Sequence, residues 1–484
     1  MQVFRPIIQV LDPADLSTIA AEACQVLQAA GFLVENREAV ELLASAGLKV
    51  QGQRVFASEA AIQQALATVP SRVVVYNRQG DPALDLGGDR VHFNPGSAAV
   101  FILDPVNGRR RAVTRDLVHL AWVTESCANI AGQSTALVPS DVPEVMGDWW
   151  RLSIALQASS KPVITGTFRK ESFAVMREFL EIVRGSSAAL RAKPLAIFDC
   201  CPSPPLKWSD LTCQALLDCA RSGIPAELVS MPLGGAAAPV TLRGMIIQHC
   251  AENLSGALIH QLAAPGAPII YGGSPAPFDM RHGTTPMGAV ETHMVDIACA
   301  QTGRYLGFPV HAYMGPSDAK TLDFQAGAEA WAGIMSAALA GINLVSGPGL
   351  LDFENCQSLE KILWDNELCG MALRLVRGIS RGEAGETARL LSSGDAGESF
   401  LVHPHTRAHF RQEHYLPSRM VDRASHGAWE ARGRPSAADS AAAEVAARLA
   451  KGNIAPLDPV LQRELSALAA AEAAVHGVAR LPQL

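Results

Sequence analysis

Ser317, Asp318, Lys320, Asp323 and Gln325 interrupt an otherwise apolar stretch, GFPVHAYMGPSDAKTLDFQAGAE. Carboxylates and a lysine packed this closely offer acid–base chemistry, a seat for a cation, or a Schiff base on Lys320. Residues of the same promise recur at the ends of short apolar runs: Phe93 and Asn94, Gln133, Asp199, Tyr271, Tyr313, and Phe353 with Glu354. Each has a plainer reading too. Asp318 and Asp323 could cap the following helix, Glu354 could be a solvated loop acid, and the aromatics could be packing residues. Their concentration at the ends of the runs favours a site.

Several other chemistries lack their companion residues. HPHTRAHF carries His403, His405 and His409, but no matching His or Cys set accompanies it, so surface or structural histidines are expected and no metal. Ser317 to Lys320 fits S-x-x-K without the partner motifs of acyl transfer. Lys161 and Lys193 stand at the starts of apolar runs, which leaves Lys320 for any lysine-dependent lyase chemistry. A P-loop, a G-x-S-x-G elbow, a dinucleotide-binding glycine turn and a D-x-H-x-x-G cobalamin signature are all missing.

The elements that must position these residues follow a regular pattern. Short apolar runs at VHFNPG, IAGQSTALVP, PVITGTF, PLAIFDC, PAELVSMPL, PIIYGGS, PVHAYMG and INLVSGPG are each followed by a helix-periodic segment. Continuous apolar strands alternating with helices predict a parallel sheet covered on both faces. Eight such units in roughly 290 residues predict an α/β (β/α)8 barrel, with its site at the C-terminal strand ends. The sequence divides into an N-terminal α+β extension over 1–85, the barrel over 86–377, and a C-terminal extension over 378–484. The last begins polar and ends in alanine-rich helices, expected to pack on the barrel or to serve an oligomer contact; a homo-oligomer is expected.

The 484 residues are 49% hydrophobic and 18% charged, the balance of a large compact enzyme rather than a disordered chain. A net charge of −7 without a dense basic run argues against nucleic acid and anionic membranes as partners. The most apolar window, around Ile334 to Leu351, contains Asn343, glycines and Pro348, and suits a buried strand–helix pair better than a membrane span. No signal-peptide pattern opens the sequence. The ten cysteines are scattered, with no C-x-x-C, so reduced thiols and a cytoplasmic location are expected.

Linked segments across nearly the whole chain resemble the trimethylamine methyltransferase family. They include AGFLVENREAVELLASAG, LRAKPLAIFDCCPSPPLKW, GIPAELVSMPLGGAAAPVTLRG, DMRHGTTPMG, GPSDAKTLDFQAGAE, LEKILWDNELCGM and HPHTRAHFRQEHYLPSRMVDR. The resemblance implies a (β/α)8 barrel that moves a methyl group from a methylated amine to cobalamin on a separate corrinoid protein. The family's namesakes carry pyrrolysine, and this chain is written in standard residues, which points to a quaternary amine. A quaternary nitrogen leaves as a neutral amine and needs no activating electrophile. Glycine betaine leads proline betaine, carnitine and choline. Asp318 and Glu354 are then the candidate catalytic residues. Phe93, Asn94, Gln133, Asp199, Tyr271, Tyr313, Lys320, Gln325 and Phe353 are the candidate substrate contacts. A lysine-dependent lyase and a non-catalytic methylamine-binding protein are the alternatives.

Overall fold

The computed structural model describes residues 3–392 and 399–484. Eight strands run from β1 (His92–Asn94), β2 (Gln133–Ser134), β3 (Val163–Gly166) and β4 (Ala196–Cys200) to β5 (Ala226–Leu228), β6 (Ile269–Ile270), β7 (His311–Tyr313) and β8 (Leu344–Ser346). A helix follows each: α1 (Thr114–Glu125), α2 (Gly147–Ala158), α3 (Ser172–Arg184), α4 (Asp210–Ser222), α5 (Leu242–Ala263), α6 (Val290–Tyr305), α7 (Phe324–Ala340) and α8 (Leu359–Val376). All eight apolar runs read from the sequence are strands. The helices begin and end where local chemistry dictates. Ser209, Thr241, Asp323 and Ser358 accept a backbone N–H at the N-caps of α4, α5, α7 and α8. Gly185, Gly223 and Gly341 close α3, α4 and α7 in the left-handed conformation.

β2 to β6 form one parallel sheet in sequence order, and β7, β8 and β1 form another. Backbone hydrogen bonds span the gaps between the two: His311 N–H to Tyr271 O at 2.9 Å, and Ala131 N–H to Phe93 O at 2.8 Å. Ile164, Ile197, Ile270 and Leu344, one from each of four strands, turn to the same inner side. There they meet Val73, Val75, Leu84 and Leu86 of the antiparallel hairpin Val73–Tyr76/Pro82–Leu86. Each such side chain withdrawn from water contributes about 1.5–3 kcal/mol, so the hairpin is held firmly beneath the strands. Strand periodicity then fixes the site. Two residues further along, Gly166, Asp199, Gly272 and Ser346 must face the same inner side.

Residues of opposite parity, including Phe93, Val163, Phe198, Leu228 and Tyr271, belong to the main core between strands and helices. Helix Pro13–Ala29 packs on α5 and α6. Of the alanine-rich C-terminal helices, Ala437–Leu449 lies against α1 and α8, and Pro459–Val475 against α2 and α3. Among the described residues, no helix is long and apolar enough to cross a membrane.

Candidate functional site

The inner side of the strands changes from aliphatic to polar at their C-terminal ends. Ser346 Oγ donates to Asn94 Oδ1 at 3.0 Å and lies 3.0 Å from His311 Nε2. With the serine proton committed to Asn94, His311 Nε2–H is the donor to Ser346. The other ring nitrogen, Nδ1, sits 2.6 Å from Glu227 Oε1, close but not aligned as a hydrogen bond. All four side chains are fully buried. The chain Asn94–Ser346–His311–Glu227 therefore crosses from β1 through β8 and β7 to β5. Asp199 on β4 pairs in register with Glu227.

Above this floor lies a pocket of about 290 Å³ whose lining includes Arg151, Phe168, Asp199, Met231, Tyr313 and Glu354. Tyr313 stands edge-on to the His311 ring, with centroids 5.2 Å apart. Glu354 comes from the tight hairpin between Leu350–Leu351 and Cys356–Gln357. Its turn holds Asp352, Phe353 and Glu354 at φ of 52°, 55° and 68°. Three consecutive non-glycine residues in the left-handed region cost about 1–3 kcal/mol each. The strain is spent on turning the Glu354 carboxylate into the pocket, where Ser274 Oγ approaches it at 3.5 Å.

The charge balance is acidic. Burial raises the Asp199 pKa well above the carboxylate range, Glu227 adds to the rise, and Arg151 opposes it. Asp199 Oδ1 is buried and has no hydrogen-bond partner among the described residues. Burial also raises Glu354, to about 7, with Ser274 lowering it and Asp318 raising it. Tyr313 is pushed up by burial and by Asp199, Glu354 and Glu227. Asp296 on α6 is buried, neither oxygen is hydrogen-bonded, and burial plus Glu354 lift its pKa. Arg151 is the counterweight. Its guanidinium is fully buried, donates to Gly147 O and Thr135 O, and lies 4.8 Å over Phe168. Its carboxylate neighbour, Asp148, is 3.5 Å away and already accepts the N–H groups of Phe168 and Arg169. Buried acids and one guanidinium lining the same pocket suit a small zwitterion.

Of the residues expected at the site, Asn94, Asp199, Tyr313 and Glu354 come together here. The others do not. Phe93 and Tyr271 have the outward parity, and Tyr271 Oη lies 3.2 Å from His249 Nδ1 on α5. Gln133 also turns outward and donates to Ala121 O on α1. Asp318 neither lines the pocket nor caps α7. It accepts the backbone N–H groups of Met287 and Gly288 at 2.8 and 3.1 Å, and Asp323 makes the cap. Lys320 is largely exposed, donates to Asp318 O, and sits 3.7 Å over the Phe353 ring outside the pocket. Gln325 is exposed and bonded to Glu329. Glu227, His311, Ser346 and Arg151 were missed. Strand parity could have found the first three, since His311 lies two residues before Tyr313. Arg151, on a fully buried helix, left only its charge as a signal.

Residues 2–475 match the sequence profile of the trimethylamine methyltransferase family. The chain belongs to that family. A glycine betaine methyltransferase from Desulfitobacterium hafniense (strain Y51) is 28% identical over 88% of this chain and 89% of its own length. The trimethylamine methyltransferase MttB of D. hafniense (strain DSM 10664 / DCB-2) is also 28% identical, over 96% of this chain and 94% of its own. Among solved structures, the monomethylamine methyltransferase of Methanosarcina barkeri aligns with 80% of this chain and 85% of its own, at 11% identity and a TM-score of 0.46. In this methyltransferase family member, then, an acidic strand-end pocket carries one buried arginine.

Proposed function

We propose that the protein transfers a methyl group from a quaternary amine, glycine betaine first among them, to a corrinoid held by a separate carrier protein in the cytoplasm. The observation that carries this reading is one pocket with groups of both signs in its lining: Asp199, Glu354 and Tyr313 for the ammonium, and Arg151 for a carboxylate. The reading treats the eight strands as one closed (β/α)8 barrel spanning 86–377, flanked by N- and C-terminal extensions. The hydrogen bonds between β6 and β7 and between β1 and β2 support it.

In this scheme the ammonium methyls pack against Tyr313, and cation–aromatic attraction contributes roughly 0.5–2 kcal/mol. Asp199, which has a free buried oxygen, and Glu354 balance the charge. Fixing the donor so that one N–CH3 bond points out of the pocket turns a bimolecular displacement into an oriented one. The C–N bond breaks, and its electron pair returns to nitrogen. The methyl leaves without a proton having moved. The tertiary amine then takes a proton from solvent at the open rim, which removes the lone pair that would recapture the methyl, while Glu354 stays ionised against the resulting cation.

A pocket of about 290 Å³ holds a small amine but not a corrin macrocycle, so this chain's residues fit a corrinoid presented at the open rim by Phe168 and Met231. When docked there, the corrinoid supplies the nucleophile that accepts the methyl group. The test mixes the protein with a reduced corrinoid carrier and a panel of amines, and follows carrier methylation by absorbance. Turnover with glycine betaine ahead of choline and trimethylamine is expected; no methylation with any quaternary amine would overturn the proposal.

A further inference from the structure

Far along the chain from the pocket residues, three metal-ligating side chains converge. His405 and His409 lie one turn apart on helix Pro404–Glu413, with ring centroids 4.5 Å apart. Glu386, on helix Glu386–Ser392, approaches the same face, and one ligand atom from each of the three lies within 4.8 Å of the other two. We propose that Glu386, His405 and His409 form a binding site for a borderline divalent transition metal, zinc being the expected ion.

The residue types support this choice. Two imidazoles and one carboxylate make a mixed N/O donor set of the kind zinc accepts, with bonds of about 2.0–2.2 Å, and three protein ligands leave a fourth position for water. Ions that prefer all-oxygen shells, such as magnesium and calcium, are disfavoured by the imidazoles. The i, i+4 spacing puts both rings on one helix face without any backbone change. Tetrahedral closure needs ligand atoms roughly 3.4 Å apart, a contraction that side-chain rotation at partly exposed positions can supply. His403, the third histidine of the run, is already used: its Nδ1 accepts the His405 N–H at the helix start. The carboxylate from Glu386 takes the place a sequence reading would give to His403.

The site would act as a staple rather than in methyl transfer. The end of helix Pro404–Glu413 is anchored to α8, where Arg374 donates to Glu413 O and Arg377 to Gln412 O. A metal held by Glu386 would extend that anchorage to helix Glu386–Ser392.

The test uses tag-free, chelator-stripped full-length protein titrated with Zn2+ against a chromogenic chelator, with Co2+ absorption reporting coordination geometry. One equivalent with a four-coordinate cobalt spectrum is expected. Glu386→Gln and His409→Ala should each weaken zinc by roughly 10–100-fold, no less than the loss of an outer-shell partner costs, and His403→Ala should leave it unchanged. Zinc should also slow limited proteolysis around residues 386–413 in wild type and not in His409→Ala, a readout independent of methyl transfer. Equal zinc affinity in wild type and a His405→Ala/His409→Ala double variant would overturn the site, as would a Glu386→Gln variant with undiminished affinity.

Discussion

Asp199 and Glu227 occupy paired positions on the adjacent parallel strands β4 and β5, with both carboxylates turned inward beneath the same pocket. Two buried acids at this spacing repel, and burial and Glu227 together hold the Asp199 proton on. The arrangement disfavours the empty protein and favours a bound cation. Asp199→Asn should therefore raise the thermal stability of the unliganded protein, by order 1 kcal/mol. It should also weaken quaternary-amine binding by roughly tenfold, equivalent to about 1.4 kcal/mol. Thermal melts with and without glycine betaine measure both. A variant that is stabilised and binds normally would remove Asp199 from ammonium recognition.

The same logic sets a pH dependence. The Glu354 pKa rises from 4.5 to about 7, and that of Asp318 from 3.8 to about 6. Acids with a raised folded-state pKa contribute stability that is complete below their unfolded values and is lost as pH climbs through the folded ones. The empty protein should thus lose stability from these groups between about pH 4 and 7. A bound cation favours the ionised carboxylate, so the melting shift produced by glycine betaine should grow from pH 5 to 8. Glu354→Gln should flatten that growth, and an unchanged slope would show that Glu354 does not face the ammonium.

Asp318 is best tested as a loop holder. Asparagine offers one acceptor oxygen where aspartate offers two, so Asp318→Asn should lose one of the N–H bonds from Met287 and Gly288. The expected cost is about 1–3 kcal/mol of stability. Binding should suffer only through loosening of the loop, with the pH dependence of turnover retained. If Asp318→Asn melts like wild type yet abolishes turnover, the acid has a direct catalytic role that its present hydrogen bonds do not reveal.

The eight strand–helix units were legible because apolar runs bounded by Gly and Pro, alternating with 3.6-period segments, leave few alternatives to parallel strands covered by helices. The site was only half legible. Asp199, Asn94, Tyr313 and Glu354 were found because polar residues at strand ends are visible in a linear sequence. Phe93, Gln133 and Tyr271 were chosen by the same rule and fail it by one residue of register, because successive strand residues face opposite sides. Glu227 and His311 sit inside the apolar runs, where each looks like an interruption. Only the folded chain brings them within 2.6 Å of each other, from strands two places apart. Arg151 could not be placed at all, since α2 is buried along its whole length and offers no amphipathic stripe to orient it.

Arg151 supports the sharpest test of substrate choice. Burying a guanidinium is costly unless its charge is met, and its contact to Asp148 is long and shared. A substrate carboxylate arriving in the pocket would complete it. Choline has the same ammonium but a hydroxyl where glycine betaine has its carboxylate, so the two ligands isolate this contact. Arg151→Gln should cost glycine betaine about 1.5–3 kcal/mol of binding, roughly 10–150-fold, while leaving choline nearly unaffected. The ratio of their KM values is the readout, because any general loosening from the lost bonds to Gly147 O and Thr135 O would weaken both alike. An equal loss for both amines would make Arg151 a structural residue and remove the main reason for preferring a zwitterion.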